Sequence, residues 1–359
     1  MKPLTMRQRL LAVIQNRDLD RVPLIMYDDL MPIHSQGTYP RREVQAAFGE
    51  RIGLLRWSAV HKVVTPHCRF VTTEFYRGET RCERTTLYTP AGSIYQERAF
   101  EPVFHSGSTY KHYVEEPRDY EVLWAYLQDG EVLEDYARYE RDAAELGERG
   151  LPLAAVERSP FQQLWIEWTG LERLSLHLAD CPDRVEQTIA LLVARARRIF
   201  EIVRRSPAPF IDFPDNITAP PIGLKRFQQI CVPLYNELAD LLAERGVPVF
   251  VHMDGDLKPL RHAIAASKIG GLDSFSPTPD NDTSVAEAIA LWPDKRLFVN
   301  FPSSVHLRPY DEVRAEAERI LEAGGHTGRL EIQFSENVPL HAWRTSFRAV
   351  ADAVEAFIP

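Results

Sequence analysis

Residues 247–267 read Val247-Pro-Val-Phe-Val-His-Met-Asp-Gly-Asp-Leu-Lys-Pro-Leu-Arg-His-Ala-Ile-Ala-Ala-Ser267. An apolar run without alternation comes first, then a short polar loop, then a stretch with helical spacing from Leu257. A continuous apolar run is the signature of a parallel strand covered on both faces, and strand, loop, helix is half of a βαβ crossover. The same unit recurs outward in both directions. Apolar runs occur at Val22–Tyr27, Ile52–Trp57, Leu151–Val156, Phe210–Phe213, Leu272–Ser276, Arg296–Asn300 and Leu330–Phe334, which with Val247–His252 makes eight. Helical patterns lie at Arg7–Arg17, Pro182–Arg205, Leu224–Arg245, Leu257–Ser267, Ser284–Leu291, Asp311–Ala323 and Ala342–Phe357. Pro182–Arg205 has Pro and acids at its start and Arg at its end, as the helix dipole favours. Eight parallel strands with intervening helices predict an α/β chain closed into a (β/α)8 TIM barrel.

One interval interrupts the alternation. Roughly ninety residues separate the second run from the third. Within them Val71–Phe100 alternates polar with aromatic or β-branched residues and has turn signals at Arg77-Gly78 and Pro90-Ala91-Gly92. It reads as an antiparallel β-hairpin or meander inserted after strand 2, over about 61–150, followed by an acidic helical segment, Pro117–Gly147. The chain is thus expected to be one domain, 1–359. An insertion there would stand at the C-terminal face of a barrel, as a lid over the site or as an edge-covering ornament.

The 359 residues include 42 Lys and Arg against 51 Asp and Glu, a net charge of −9. Such a surface is unsuited to nucleic acid, whose phosphates need a basic partner. The apolar fraction of 45% suffices for a large core,. Cys68, Cys82, Cys181 and Cys231 are far apart and form no C-x-x-C pair, so neither a disulfide framework nor a cysteine-only zinc knuckle is expected,. No membrane span and no secretory h-region are evident, and the expected compartment is the cytoplasm. Trp and Tyr suited to an interface leave a homodimer open.

In a barrel of this class the residues just past each strand converge on one pocket. They are Tyr27, Asp28 and Asp29; Trp57 and His61; Glu157, Arg158 and Ser159; Asp212 and Asp215; His252, Asp254 and Asp256; Ser276 and Thr278; Asn300 and Ser303; and Ser335, Glu336 and Asn337. Burying so many polar groups without purpose would cost desolvation energy. Asp215 before Asn216 also suits a turn or cap.

His252-Met-Asp254-Gly-Asp256 is the sharpest local feature. Residues i and i+2 at a strand end face the same side, so His252 and Asp254 can share a cation, with Gly255 permitting a tight bend and Glu336 as a third ligand from another strand. Alternatively the carboxylate sets the tautomer of an acid/base histidine. In a purely structural role, Asp254 or Asp256 is the N-cap of the helix near Leu257. His61 with His67 and His105 with His112 lack the spacing of a helical metal site. No P-loop, dinucleotide fingerprint or nucleophile elbow occurs.

Thr5-Met-Arg-Gln-Arg-Leu-Leu-Ala followed by Asp20-Arg-Val-Pro23, then Arg158-Ser-Pro-Phe, Asp180-Cys-Pro-Asp-Arg-Val-Glu, His252–Gly255 and Ser335-Glu-Asn-Val-Pro, resembles the uroporphyrinogen decarboxylase superfamily over nearly the whole chain. The resemblance implies a (β/α)8 barrel and one of two activities: metal-free decarboxylation of a porphyrinogen, or methyl transfer to or from a corrinoid at a zinc site. True decarboxylases carry an arginine-rich Gln-Ala-Gly-Arg segment near the first strand. Here that region is Tyr27-Asp-Asp-Leu-Met-Pro-Ile-His, acidic where carboxylates would bind, with Arg41 and Arg42 the nearby cations,. The methyltransferase branch is closer, its His-x-Cys zinc motif matching His252 but with Asp254 in the cysteine position and no cysteine around Phe334–Glu336. An all-N/O donor set suits an oxygenated substrate better than a thiol.

The expected function is therefore metal-dependent methyl transfer between a small oxygenated substrate and a corrinoid protein, with a divalent metal, zinc, on His252, Asp254 and Glu336. Asp212, Asp215 and Arg158 are the expected catalytic residues, and Tyr27, Asp28, Trp57, Ser159 and Asn300 line the substrate pocket. The alternatives are a cofactor-free decarboxylase of a smaller acid, anchored on Arg158, and a barrel that binds a small molecule without turnover.

Overall fold

A computed structural model describes residues 3–28, 41–102, 106–335 and 338–359. Its strands, in chain order, are β1 (Leu24–Tyr27), β2 (Gly53–Ala59), β3 (His61–Val64), β4 (Arg69–Arg77), β5 (Thr80–Thr89), β6 (Gly92–Phe100), β7 (Gly107–Lys111), β8 (Glu131–Glu134), β9 (Gly150–Ala155), β10 (Ile211–Phe213), β11 (Val249–His252), β12 (Gly271–Phe275), β13 (Arg296–Asn300) and β14 (Leu330–Phe334). Among the described residues the eight apolar runs become the eight parallel strands of a closed barrel, ordered β1-β14-β13-β12-β11-β10-β9-β2.

The chain divides into two compact units, residues 1–60, 136–156 and 206–359 in the first and residues 61–135 and 157–205 in the second. The first holds the barrel. Its floor is apolar because alternate strand residues point inward: Ile25, Leu55, Leu153, Phe210, Phe250 and Phe298 pack with Met6, Leu10, Val13 and Ile14 of the N-terminal helix α1 (Met6–Gln15), which closes the bottom,. The Phe250 and Phe298 rings are 4.7 Å apart and those of Phe210 and Phe250 5.5 Å. Each such buried side chain contributes roughly 2 kcal/mol. A capping box starts α1: Thr5 accepts from the Gln8 backbone N–H, and Gln8 accepts from that of Thr5,. Helix Val285–Leu291 begins in the same way with Ser284 and Glu287.

The second unit holds the antiparallel strands. β4, β5, β6 and β7 form a four-stranded sheet, with Gly78 (φ 61°) in the turn predicted at Arg77-Gly78,. β3 and β8 make a separate two-stranded ribbon. The segment 117–147, expected to be helical throughout, is instead helix Asp119–Asp129, strand β8 and helix Tyr136–Leu146. Val132 and Leu133, bounded by Gly130, pair with Val63 and Lys62 of β3, and this pairing overrides helical spacing,. Helix Pro182–Val203 carries Thr188, whose hydroxyl accepts from the Trp124 indole N–H at 2.8 Å. No helix of the described residues is long and apolar enough to cross a membrane.

Candidate active site at the strand ends

The inward alternation that gives an apolar floor gives a polar upper layer. One step further along the strands the inward positions are Tyr27, Trp57, Asp212, His252, Asp273, Asn300 and Gln333. The described strand residues place no Lys or Arg there. Arg56 points outward, where its guanidinium meets Asp28, Asp142 and Glu145. Arg296 is at the opposite end of its strand.

Asp273 is fully buried and sits on β12 as the register partner of His252. Its Oδ2 accepts from Tyr27 Oη at 2.5 Å and its Oδ1 from Gln333 Nε2 at 3.2 Å. Ser274 Oγ lies 3.0 Å from Tyr27 Oη and accepts from Gln333 Nε2 at 2.7 Å. Adjacent residues of one strand reach the same partners because the register slips between Leu272 and Phe275 and Ser274 adopts φ 50°,. Burial pushes the Asp273 carboxyl up, against the pull of His252 and its hydrogen-bond donors. Burial and the Asp273 carboxylate together push the Tyr27 phenol well above its ordinary range. Trp57 packs edge-on against Tyr27, centroids 5.5 Å apart, and lies 6.2 Å from the His252 ring.

His252 Nδ1 is buried without a hydrogen-bond partner among the described residues and faces Asp254 Oδ1 at 3.9 Å. The other carboxylate oxygen of Asp254 accepts from Asn216 Nδ2 at 2.9 Å. An orphaned imidazole nitrogen turned to a carboxylate is a donor pair suited to a divalent cation. Among the described residues no group of three or more His, Cys, Asp or Glu side chains could hold a metal, and Glu336, the expected third ligand, lies outside them, as do Asp29 and Asn337.

Other expected site residues are placed differently. Asp28, expected in the pocket, is fully buried, and its Oδ2 is engaged by Arg56. Asp215, also fully buried, accepts a hydrogen bond from Tyr235 on helix Val232–Leu242, a contact 20 residues away in the chain. Asn300 bridges strand ends, donating to Ser276 Oγ at 3.1 Å and accepting from the Ser335 backbone N–H at 3.2 Å. Arg158 and Ser159 belong to the second unit, where Arg158 pairs with Glu167 at 3.4 Å. Neither Asp254 nor Asp256 caps the turn after Leu257; Asp282 does, accepting from the Leu257 and Lys258 backbone N–H groups. Gly255 lies in a bend, as expected, and is also needed for close approach, since a Cβ there would lie 2.1 Å from Thr218 Cβ. A cavity of about 590 Å3, bordered by Leu4, Met6, Arg9, Arg21 and Arg149, opens at the other end of the barrel from these groups.

Sequence reasoning missed Asp273, Ser274, Glu331 and Gln333. The available signal was Glu331 and Gln333 at alternate positions of Leu330–Phe334, a run otherwise apolar, and the charged Asp273 inside the run Leu272–Ser276,.

No curated protein sequence matches the chain. Among solved structures, a methyltransferase from Methanosarcina mazei is similar over 99% of this chain and 99% of its own, with 13% identity and a TM-score of 0.59, a likeness of fold. A B12-independent methionine synthase from Shewanella sp. W3-18-1 shares 11% identity over 88% of this chain and 84% of its own, with a TM-score of 0.37. A chitinase from Chromobacterium violaceum ATCC 12472 shares 10% identity over 61% and 87%, with a TM-score of 0.32. The sequence pattern of the uroporphyrinogen decarboxylase (URO-D) family matches residues 105–357, well over half of the chain, and the chain belongs to that family.

Proposed function

We propose that this barrel catalyses methyl transfer between a small oxygenated substrate and a corrinoid carried by a partner protein, with a divalent cation, zinc, held by His252, Asp254 and Glu336. The observation that carries this reading is the orphaned His252 Nδ1 facing Asp254 at 3.9 Å, in a layer where the described inward strand residues include Asp212 and Asp273 and no Lys or Arg. A substrate bearing several carboxylates would approach Asp212 and Asp273, beside which the described strand residues place no Lys or Arg, and this disfavours porphyrinogen decarboxylation. A cation bound there supplies a Lewis acid that polarises a substrate oxygen.

The chain's own residues have separable tasks in this reading. Trp57 offers an aromatic wall beside His252. Asn300 fixes the ends of β12 and β14 relative to β13, which keeps the strand-end groups in register. Asp212 and Asp273 add negative potential in the same layer as His252 and strengthen its preference for a cation,.

The test is metal content after reconstitution with zinc, for wild type and His252→Ala, together with methyl transfer from methylcobalamin to small phenols or alcohols. One zinc per chain in wild type, lost in the variant, is the expected result. A wild-type protein that retains no stoichiometric divalent ion overturns the reading.

A further inference from the structure

The inward face of β14 and its continuation carries Glu331, Gln333 and Ser335 at alternate positions, all buried, Glu331 and Gln333 completely. Both carboxyl oxygens of Glu331, Oε1 of Gln333 and Oγ of Ser335 have no hydrogen-bond partner among the described residues. Gln333 spends its amide nitrogen on Asp273 and Ser274, which leaves its oxygen for something else. At about 3.3 Å per residue the row spans about 13 Å, from the level of Phe298 to the strand end,. Glu331 lies at the level of the aromatic floor, and α1 closes the barrel below it. Buried polar groups in folded proteins are satisfied by protein or by ordered water, and a row of acceptors that ends at the site is a place for a file of waters.

Burial and the nearby Asp273 carboxylate push the Glu331 carboxyl well above its ordinary range, in favour of the neutral acid,. Asp273 on β12 is the charged group that acts on it; Asp212 on β10 and His252 on β11 face the same interior.

We propose that Glu331 is a proton donor internal to the barrel, joined to the strand ends by ordered water held along Gln333 and Ser335. The chemical role rests on the methyl-transfer reading. When a methyl ether loses its methyl group to a reduced corrinoid, the C–O bond breaks with its electron pair on oxygen, and that oxygen takes one proton. Glu331 supplies it through the file and is reprotonated from solvent at the mouth. Glu331 touches no reacting atom and acts through the water and Gln333.

The experiment is infrared difference spectroscopy of the full chain at pH 7, wild type against Glu331→Gln, with rapid mixing into D2O. Wild type should show the carbonyl band of a neutral carboxylic acid, absent from the variant, and the band should shift on mixing. Gln333→Leu should keep the band and slow its exchange by about tenfold or more, because the file is cut. Ser335→Val provides a second block at the upper end should Gln333→Leu not fold. A wild type without the band, a band that survives in Glu331→Gln, or exchange indifferent to both blocks overturns the proposal. None of these readouts needs turnover or a bound metal, so they stand or fall separately from the methyl-transfer reading.

Discussion

Tyr27 Oη donates a 2.5 Å hydrogen bond to Asp273 Oδ2, and the bond crosses the barrel interior from β1 to β12. Both groups are buried, so this contact, with Gln333 and Ser274, fixes the polar layer between the aromatic floor and the strand ends. Hydrogen bonds to a charged group in such surroundings are worth more than neutral ones, and removal of one partner leaves the other desolvated.

Tyr27→Phe therefore should lower unfolding stability by about 2 kcal/mol, measured by urea titration at pH 7. The ring and its packing on Trp57 are retained, so the loss reports the hydroxyl. A change below about 0.5 kcal/mol would mean that Asp273 is satisfied without it.

Arg56 and Asp28 form the other tightly placed pair of the barrel, on its outer side. The Arg56 guanidinium contacts the fully buried Asp28 carboxylate and also reaches Asp142 and Glu145. Arg56→Ala strands Asp28 and should cost about 3 kcal/mol, whereas Arg56→Met with Asp28→Asn should recover most of that loss. Equal losses in the single and double variants would contradict the assignment of Asp28 to this pair.

The barrel was legible because each parallel strand is covered on both faces and so appears as an uninterrupted apolar run; Arg296–Asn300 and Leu330–Phe334 match their observed strands residue for residue. His252 and Asp254 were legible as a pair because i and i+2 at a strand end are a local relation. The polar layer was not. Asp273 and Gln333 meet only when β12 and β14 close around β13, and Ser274 joins them only through a register slip that no local pattern announces. The cap at Leu257 comes from Asp282, in the loop after the next strand, so a search for a neighbouring Asp finds the wrong residue.

His306 gives stability a pH dependence of known sign. Its ring is buried among Phe301, Phe334 and Phe347, with centroids 5.0, 5.5 and 6.0 Å away, and Nδ1 lies 2.6 Å from Ser346 Oγ. Burial pushes the imidazole down to about 3, against about 6.5 in an unfolded chain. A depressed folded value means that the contribution is complete above about 6.5 and drains as pH falls toward 3. His306→Phe with Ser346→Ala should remove about 2–3 kcal/mol of the stability difference between pH 6.5 and pH 4.5. Urea midpoints at the two pH values check it; an unchanged difference would show that His306 protonates without cost.

Gly255 ties the His252–Asp254 turn to the chain after β10. A Cβ at this position would lie 2.1 Å from Thr218 Cβ, 2.3 Å from its Oγ1 and 2.9 Å from its Cα. The Thr218 backbone cannot swing aside as a side-chain tip would, because the flanking residues are bound on both sides: Gly255 N–H donates to the Ile217 carbonyl at 3.2 Å and Ala219 N–H to that of Asp256 at 2.8 Å. Gly255→Ala must therefore push the turn away from Thr218, at a cost of about 1–3 kcal/mol. The displacement falls beside Asn216, which holds Asp254 Oδ2 at 2.9 Å, so the carboxylate loses its orientation toward His252. Zinc retention after dialysis should fall along with stability. Thr218→Gly in the same chain relieves the contact with Cβ and Oγ1 but not with Cα, and should restore both in part. Loss of stability with zinc retention intact would separate the turn from the donor pair and remove Asp254 from the proposed ligand set.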